Sequence, residues 1–141
     1  SLNVAPTDDE NLSRVTLVVR GSNEAIEQLN SQLSKLIDVV GINDMTQGDH
    51  FERELLIVKI KINSESQQEI NHLISEFNAV ILDDSIESYT IQLTGNIEEI
   101  DGFVSKISTL GTFQAVARSG SVSVSKGKII LSSYANKNLS N

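Results

Sequence analysis

Cysteine and tryptophan are absent from this chain, proline and methionine occur once each, and only six residues are aromatic, two Tyr and four Phe. Each shortage excludes something. Without cysteine there is no disulfide, thiolate-held metal, iron–sulfur cluster or cysteine nucleophile, and the composition suits a reducing compartment. With so few aromatics, the core must be aliphatic. Long apolar runs are missing as well: residues 55–58 make a run of four, against the roughly 18 that a membrane-spanning helix needs. No basic stretch followed by an apolar one, the pattern of a secretory signal, is visible. Positive charge is scarce, since 11 Lys and Arg against 19 Asp and Glu give 11 − 19 = −8. Phosphate backbones require clustered cations, so nucleic acid is a poor match.

What is present is globular. At 141 residues, 39% hydrophobic and 21% charged, the chain suits one ordinary domain or two small ones. Residues 1–54 hold four basic and ten acidic side chains and residues 55–118 four and nine, whereas residues 119–141 hold Lys126, Lys128 and Lys137 and no acid. That Ser- and Asn-rich end reads as a solvated tail that frays.

Apolar periodicity divides the rest into elements. Val15, Leu17 and Val19 alternate as in a half-buried strand. Gly21 ends it, and Ser22 or Asn23 caps a helix bearing Ile26, Leu29, Leu33, Leu36 and Ile37. Val39, Val40 and Ile42 predict a short strand, and residues 47–49 a linker. The pattern then restarts with a strand over 54–62 and a helix carrying Ile70, Leu73, Ile74 and Phe77, capped by Asn63 or Ser64. Strands over 79–84 and 87–93 follow, then a helix with Ile100, Phe103, Val104, Ile107 and Leu110, and a last strand over 113–117. The order β-α-β-β-α-β is the ferredoxin-like arrangement, an α+β fold.

The chain also repeats itself. An ungapped offset of 74 aligns residues 15–42 with 89–116, matching Thr16 with Thr90, Gly21 with Gly95, Ile26 with Ile100 and Leu36 with Leu110. The apolar faces coincide too, which predicts two tandem ferredoxin-like domains with a boundary near Gly48. We expect domains over residues 1–48 and 49–131 and a flexible tail over 132–141. The offset finds no counterpart in the first domain for the strand and helix of 55–77, so that domain is expected to lack its first strand and first helix, leaving residues 2–6 as its second strand. Pro6 cannot donate to a ladder and belongs on an edge strand or at a strand end. With Leu2 and Val4 exposed, such an edge invites a symmetric dimer.

Residues fit for catalysis are few. His50 and His72 are the only histidines. His50, beside Asp49 and Glu52, reads as a solvated linker residue rather than a metal ligand. The acid groups Asp8-Asp9-Glu10 and Asp83-Asp84 read as turn residues rather than an acid–base pair, because Asp side chains hydrogen-bond turn backbone. There is no phosphate-binding glycine loop and no serine nucleophile motif. The one aromatic on the strands that would bind RNA, Tyr89, falls on the buried face by alternation. Residues 11–13 and 138–140 fit the N-glycosylation triplet, which matters only for a secreted chain.

Four blocks, residues 5–21 (APTDDENLSRVTLVVRG), 32–42 (QLSKLIDVVGI), 50–60 (HFERELLIVKI) and 117–127 (ARSGSVSVSKG), resemble in order the small, regulatory subunit of acetolactate synthase, also called acetohydroxyacid synthase. The resemblance implies an ACT domain followed by a related ferredoxin-like domain, with no catalysis of its own. It implies a catalytic large subunit as partner, carrying thiamine diphosphate and magnesium, with FAD a third candidate, and no cofactor in this chain. It implies a homodimer through ACT domains and feedback inhibition by valine or a related branched-chain amino acid, in a bacterial cytoplasm or plastid stroma. In that family the effector lies between two ACT domains, against the loop after the first strand of one and the second strand of the other. Only the second-strand side has matching positions here, and the resemblance assigns Asn3, Val4 and Ala5 to it. The alternatives are a dimeric adaptor without an effector and a small ferredoxin-like hydrolase. The hydrolase needs an Arg-bearing, Gly-rich phosphate loop that the chain does not have.

Overall fold

The computed structural model describes residues 1–128; the tail expected over 132–141, Lys137 and the triplet at 138–140 lie outside the described residues. The second unit is built round β3 (His50–Lys61). Its neighbours in chain order are α2 (Gln67–Glu76), β4 (Val80–Asp84), β5 (Ser88–Gly95), α3 (Ile97–Ile107) and β6 (Thr112–Arg118). The strand order is β4-β5-β3-β6, antiparallel throughout, so the first strand of this unit is central as the ferredoxin-like arrangement requires. Leu56, Val58 and Ile60 alternate toward the helices and are fully buried against Ile70, Ile91, Ile100, Phe103 and Ile107. The core is aliphatic apart from Tyr89 and Phe103, with Phe77 meeting Phe103 edge-on at 5.4 Å. Tyr89 is buried, and its hydroxyl accepts from Gln67 Nε2 at 2.9 Å.

The helix starts follow local chemistry. Asn96 caps α3 with a reciprocal box: its Oδ1 accepts from Glu99 N–H and Glu99 Oε2 accepts from Asn96 N–H, both at 2.8 Å. α2 begins later than the sequence suggests. Asn63 Oδ1 accepts from the Ser66 N–H at 2.8 Å and so closes a turn before the helix instead of capping its first residue. α2 ends at Glu76 with Phe77 as its cap, and the next residue, Asn78, has a φ of 53°, the left-handed region that asparagine tolerates.

β3 has twelve residues, too many for one partner on its β6 side. Leu56 to Lys61 pair with β6, and His50 to Arg53 pair with β7 (Val122–Ser125), a strand that the periodicity did not predict. Between them the chain steps over β3 at residues 119–121 and is pinned there. Ser119 N–H donates to the Leu55 carbonyl, and Leu55 N–H donates to Ser119 Oγ, both at 2.9 Å. Glu54 is 4% exposed, and Arg118 grips it twice: Nε donates to Oε1 at 2.7 Å and Nη2 to Oε2 at 3.0 Å. Arg118 Nη1 also donates to Asp101 Oδ1 at 2.7 Å, which ties β6 to α3. The Arg118 hydrogen bonds hold the Glu54 carboxyl below the ordinary glutamate range, against the opposing effect of burial, and the Gly120 backbone N–H helps.

The first unit comprises β1 (Leu2–Pro6), β2 (Ser13–Leu17) and α1 (Asn23–Ser34). The two strands form an antiparallel sheet of their own, with Leu2 opposite Leu17 and Val4 opposite Val15. Ser22 caps α1 through its Oγ, 74 positions before Asn96 caps α3. Residues 39–42 are not a ladder strand, contrary to the expectation. Their counterpart β6 is held by β3, and residues 1–48 contain no counterpart of β3 or α2. The same shortage strips the sheet of its cover. Tyr89, Ile91 and Leu93 are 6%, 0% and 3% exposed, whereas their counterparts Val15, Leu17 and Val19 are 52%, 44% and 47% exposed.

Two stability predictions follow from these contrasts. Ile91→Ala should cost about 2–5 kcal/mol in denaturant unfolding, whereas Leu17→Ala, one repeat earlier, should cost less than about 1 kcal/mol. Equal costs would contradict the exposure contrast. Arg118→Met should cost about 3 kcal/mol by stranding a buried carboxylate, with Glu54→Leu added to Arg118→Met regaining most of it. Because the folded-state pKa of Glu54 is depressed, its contribution is present above the unfolded-state value of about 4.3 and is lost as the pH falls through the folded-state value. Wild type should therefore lose stability in acid over that window more steeply than the double variant, and parallel acid profiles would contradict the assignment.

Candidate functional site

The residues assigned to the effector side lie on β1. Alternation along the strand sends Asn3 and Ala5 to one face and Leu2 and Val4 to the other. Asn3 is half-buried, and its Nδ2 donates to the Ser121 carbonyl oxygen at 3.2 Å across the junction between the units. Val4 is 63% exposed and sits opposite Val15, while Ala5 is exposed opposite Arg14. The three are therefore contiguous but do not converge on one point. The exposed face joins Leu2, Val4, Val15 and Leu17 into an apolar patch on a sheet with only two strands among the described residues. Pro6 closes β1 opposite Ser13, in keeping with a strand end.

The junction that holds β1 in place is built from small residues. Gly120 has φ +77° and lies so close to β1 that a Cβ there would meet Ser1 Cβ at 2.7 Å and Asn3 Nδ2 at 3.0 Å. A glycine is needed for both the turn and the approach. Ser121 is 1% exposed, and its Oγ is the one buried side-chain oxygen without a partner among the described residues. A second contact joins the units further on. Asn43 Nδ2 donates to Ser125 Oγ at 3.0 Å, beside Met45 at 3.5 Å from that oxygen. Next to it Asp44 caps a single 3-10 turn (Met45–Gln47), accepting from Thr46 Oγ1 at 2.6 Å and Thr46 N–H at 3.0 Å. The Thr46 hydroxyl bond lowers the pKa of this aspartate.

The other chemistry-bearing residues take structural roles. Asp9 is a turn residue, its Oδ1 accepting from Asn11 N–H at 2.9 Å. Asp83 and Asp84 are not: they are the last residues of β4, with Asp84 opposite Tyr89, and Ser85 closes the short hairpin by bonding to Ser88. The hairpin is too short to leave the acids in the loop. His50 is not a linker residue but the first residue of β3, half-buried, with Nδ1 3.1 Å from the Gly48 carbonyl and Nε2 3.7 Å from Glu52. β7 is what orders it, by pairing His50 with Ser125. His72 is exposed on α2, beside an open groove between α2 and α3 that Glu69, Lys106 and Thr109 also line. Among the described residues, no three His, Asp or Glu side chains gather where they could hold a metal ion.

Sequence reasoning missed the junction residues Asn43, Gly120, Ser121 and Ser125. One signal was available: residues 121–125, SVSVS, alternate serine and valine as an edge strand does. As a whole, the site can hold apolar and amide-bearing groups at an open sheet edge, and it makes its closest contacts across the two units.

The chain's relatives agree on what carries such an arrangement. Residues 53–127 match the family described as the small subunit of acetolactate synthase, and residues 1–42 match the ACT domain. The acetolactate synthase small subunit of Haemophilus influenzae is 41% identical over 128 residues, which is 91% of this chain and 78% of that protein. The isozyme 3 small subunit of Escherichia coli is 39% identical over 131 residues, 93% of this chain and 80% of that protein. The crystal structure of the small subunit from Thermotoga maritima superimposes with a TM-score of 0.75 at 28% identity, covering 92% of this chain and 80% of that one. Two ferredoxin-like units in tandem, the first an ACT domain, make this chain a member of the acetolactate synthase small-subunit family.

Proposed function

We propose that the chain is the regulatory subunit of an acetolactate synthase, which raises the activity of the catalytic large subunit and makes that activity respond to valine or a related branched-chain amino acid. The observation that carries this reading is the family match across both units, an ACT domain over residues 1–42 followed by the small-subunit domain over 53–127. The large subunit supplies the chemistry and holds the thiamine diphosphate and magnesium, with FAD a third candidate, in a bacterial cytoplasm or plastid stroma. This chain supplies a binding surface.

The physical case rests on β1. Its outer edge has no partner strand among the described residues, and the Leu2, Val4, Val15 and Leu17 face is apolar and exposed. A second copy pairing along that edge extends the sheet and covers part of the face. In the resulting dimer Ala5 offers apolar contact to a short branched side chain and Asn3, on the same face, offers its amide oxygen to the amino acid's polar end, while Val4, on the other face, packs with Leu2. An effector regulates only if it binds two arrangements of the complex unequally. The Asn3 bond to Ser121 is what would transmit the difference, because it links the effector strand to the second unit.

The test is synthase activity of the large subunit with and without the small subunit, titrated with valine. Activity should rise on adding the small subunit and fall with valine, with a coupling of about 1–3 kcal/mol. Asn3→Ala should weaken the valine response about tenfold while leaving the activation in place. Activation that ignores saturating valine would favour the adaptor reading, and no activation at all would overturn the proposal.

A further inference from the structure

We infer that Ser121 is a positioning residue of the effector response: its hydroxyl lacks a partner in this arrangement of the units and gains one, the Asn3 carboxamide oxygen, when an effector moves β1. This rests on the regulatory reading above. Ser121 is 1% exposed, and its Oγ is the one buried side-chain oxygen that bonds to nothing among the described residues. Folded chains satisfy nearly all of their buried polar groups, so a lone exception calls for a physical cause. The neighbouring strand supplies one. Asn3 Nδ2 donates to the Ser121 carbonyl oxygen at 3.2 Å, while Asn3 Oδ1 accepts no bond among the described residues. A free acceptor and a free hydroxyl thus lie on the two sides of one contact.

The second-unit side of that contact is held fast. Arg118 grips Glu54, and Ser119 exchanges two hydrogen bonds with Leu55, both at 2.9 Å. The Gly120 backbone N–H donates to the Glu54 carboxylate, and Val122 already sits opposite Arg53 in the β3–β7 ladder. Ser121 is therefore anchored on both sides, and its backbone has no freedom to seek a partner. β1 is the side that can give. Among the described residues it pairs with β2 alone, and one hydrogen bond ties it to the turn. The two sides are also close: a Cβ on Gly120 would lie 2.7 Å from Ser1 Cβ and 3.0 Å from Asn3 Nδ2. At such a separation, a small displacement of β1 changes which atoms of Asn3 and Ser121 meet.

The sign of the effect follows. A stranded hydroxyl penalises only the arrangement that strands it. Ser121 therefore works against the effector-free arrangement and favours the one in which it donates to Asn3 Oδ1. The effector then has less of the change to drive by its own differential binding. Alanine has no hydroxyl to strand, so it relieves the effector-free arrangement and leaves the effector to drive the whole change. A water seated in the junction is the competing partner. It would satisfy the hydroxyl in both arrangements, and Ser121 would then be structural only.

The test is valine inhibition of the complex of large and small subunits, read as the half-inhibitory concentration against each variant's own activity without valine. Ser121→Ala should raise that concentration about fivefold or more. Ser121→Thr and Ser121→Val compare the site with and without a hydroxyl at equal shape, and the Val variant should lie about fivefold or more above the Thr variant. Combined with Asn3→Ala, Ser121→Ala should add less than it does alone, because both act through one contact. Thermal melts of the small subunit give an independent reading: Ser121→Ala should melt no lower than wild type. Wild type that responds to valine, with Ser121→Ala within about twofold of it, overturns this inference and leaves the regulatory reading standing. So does a Ser121→Ala variant that melts early, which shows a hydroxyl already satisfied by water, or Thr and Val variants that respond alike. A wild-type complex that ignores saturating valine sinks the valine response and this inference with it.

Discussion

β3 has backbone partners on both edges from Leu56 to Lys61, and the rest of the second unit is arranged around that. β5 takes one edge, while β6 and β7 divide the other. With both edges occupied, its side chains can commit fully to two faces. Leu56, Val58 and Ile60 go under the helices at 0% exposure, and the opposite face stays open. The first unit shows what happens without such a strand. Among the described residues β1 and β2 pair only with each other, residues 39–42 join no ladder, and an apolar face of the same pattern is exposed. The two units share local sequence, and what separates their burial is a central strand.

The step between β6 and β7 depends on a buried charge pair, which is weak evidence of net stability but strong evidence of specification. Glu54 is 4% exposed, so its carboxylate requires a chain path that brings Arg118 beside it. That path sets the 119–121 turn against Leu55 and, through Gly120 and Ser121, against β1. The contact between β1 and the second unit thus depends on the Glu54–Arg118 pair.

Much of the fold was legible because its signals are local. The strands and helices of 54–117 announce themselves by period; of the two caps expected for the first helix Ser22 is the one used, and Asn96, 74 positions on, caps α3. What the sequence hid was non-local. β7 is only four residues and exists because β3 is long enough to pair with it. Asp83 and Asp84 carry turn composition but were drawn into β4 by pairing with β5. Val39, Val40 and Ile42 carry strand composition without a partner to make them one. For the site, the family blocks pointed to Asn3, Val4 and Ala5, whereas the junction residues Asn43 and Ser125 are ordinary polar residues 82 positions apart, which only the fold brings together.

On the proposed reading β1 senses an effector, and the Asn3–Ser121 contact carries its binding to the second unit. Hydrogen exchange of the small subunit, alone, with the large subunit, and with valine added, reads both at once. The account predicts that valine, added to the complex, slows exchange in residues 2–6 and in residues 119–122 beside them. Valine leaving residues 2–6 unchanged in the complex would contradict it.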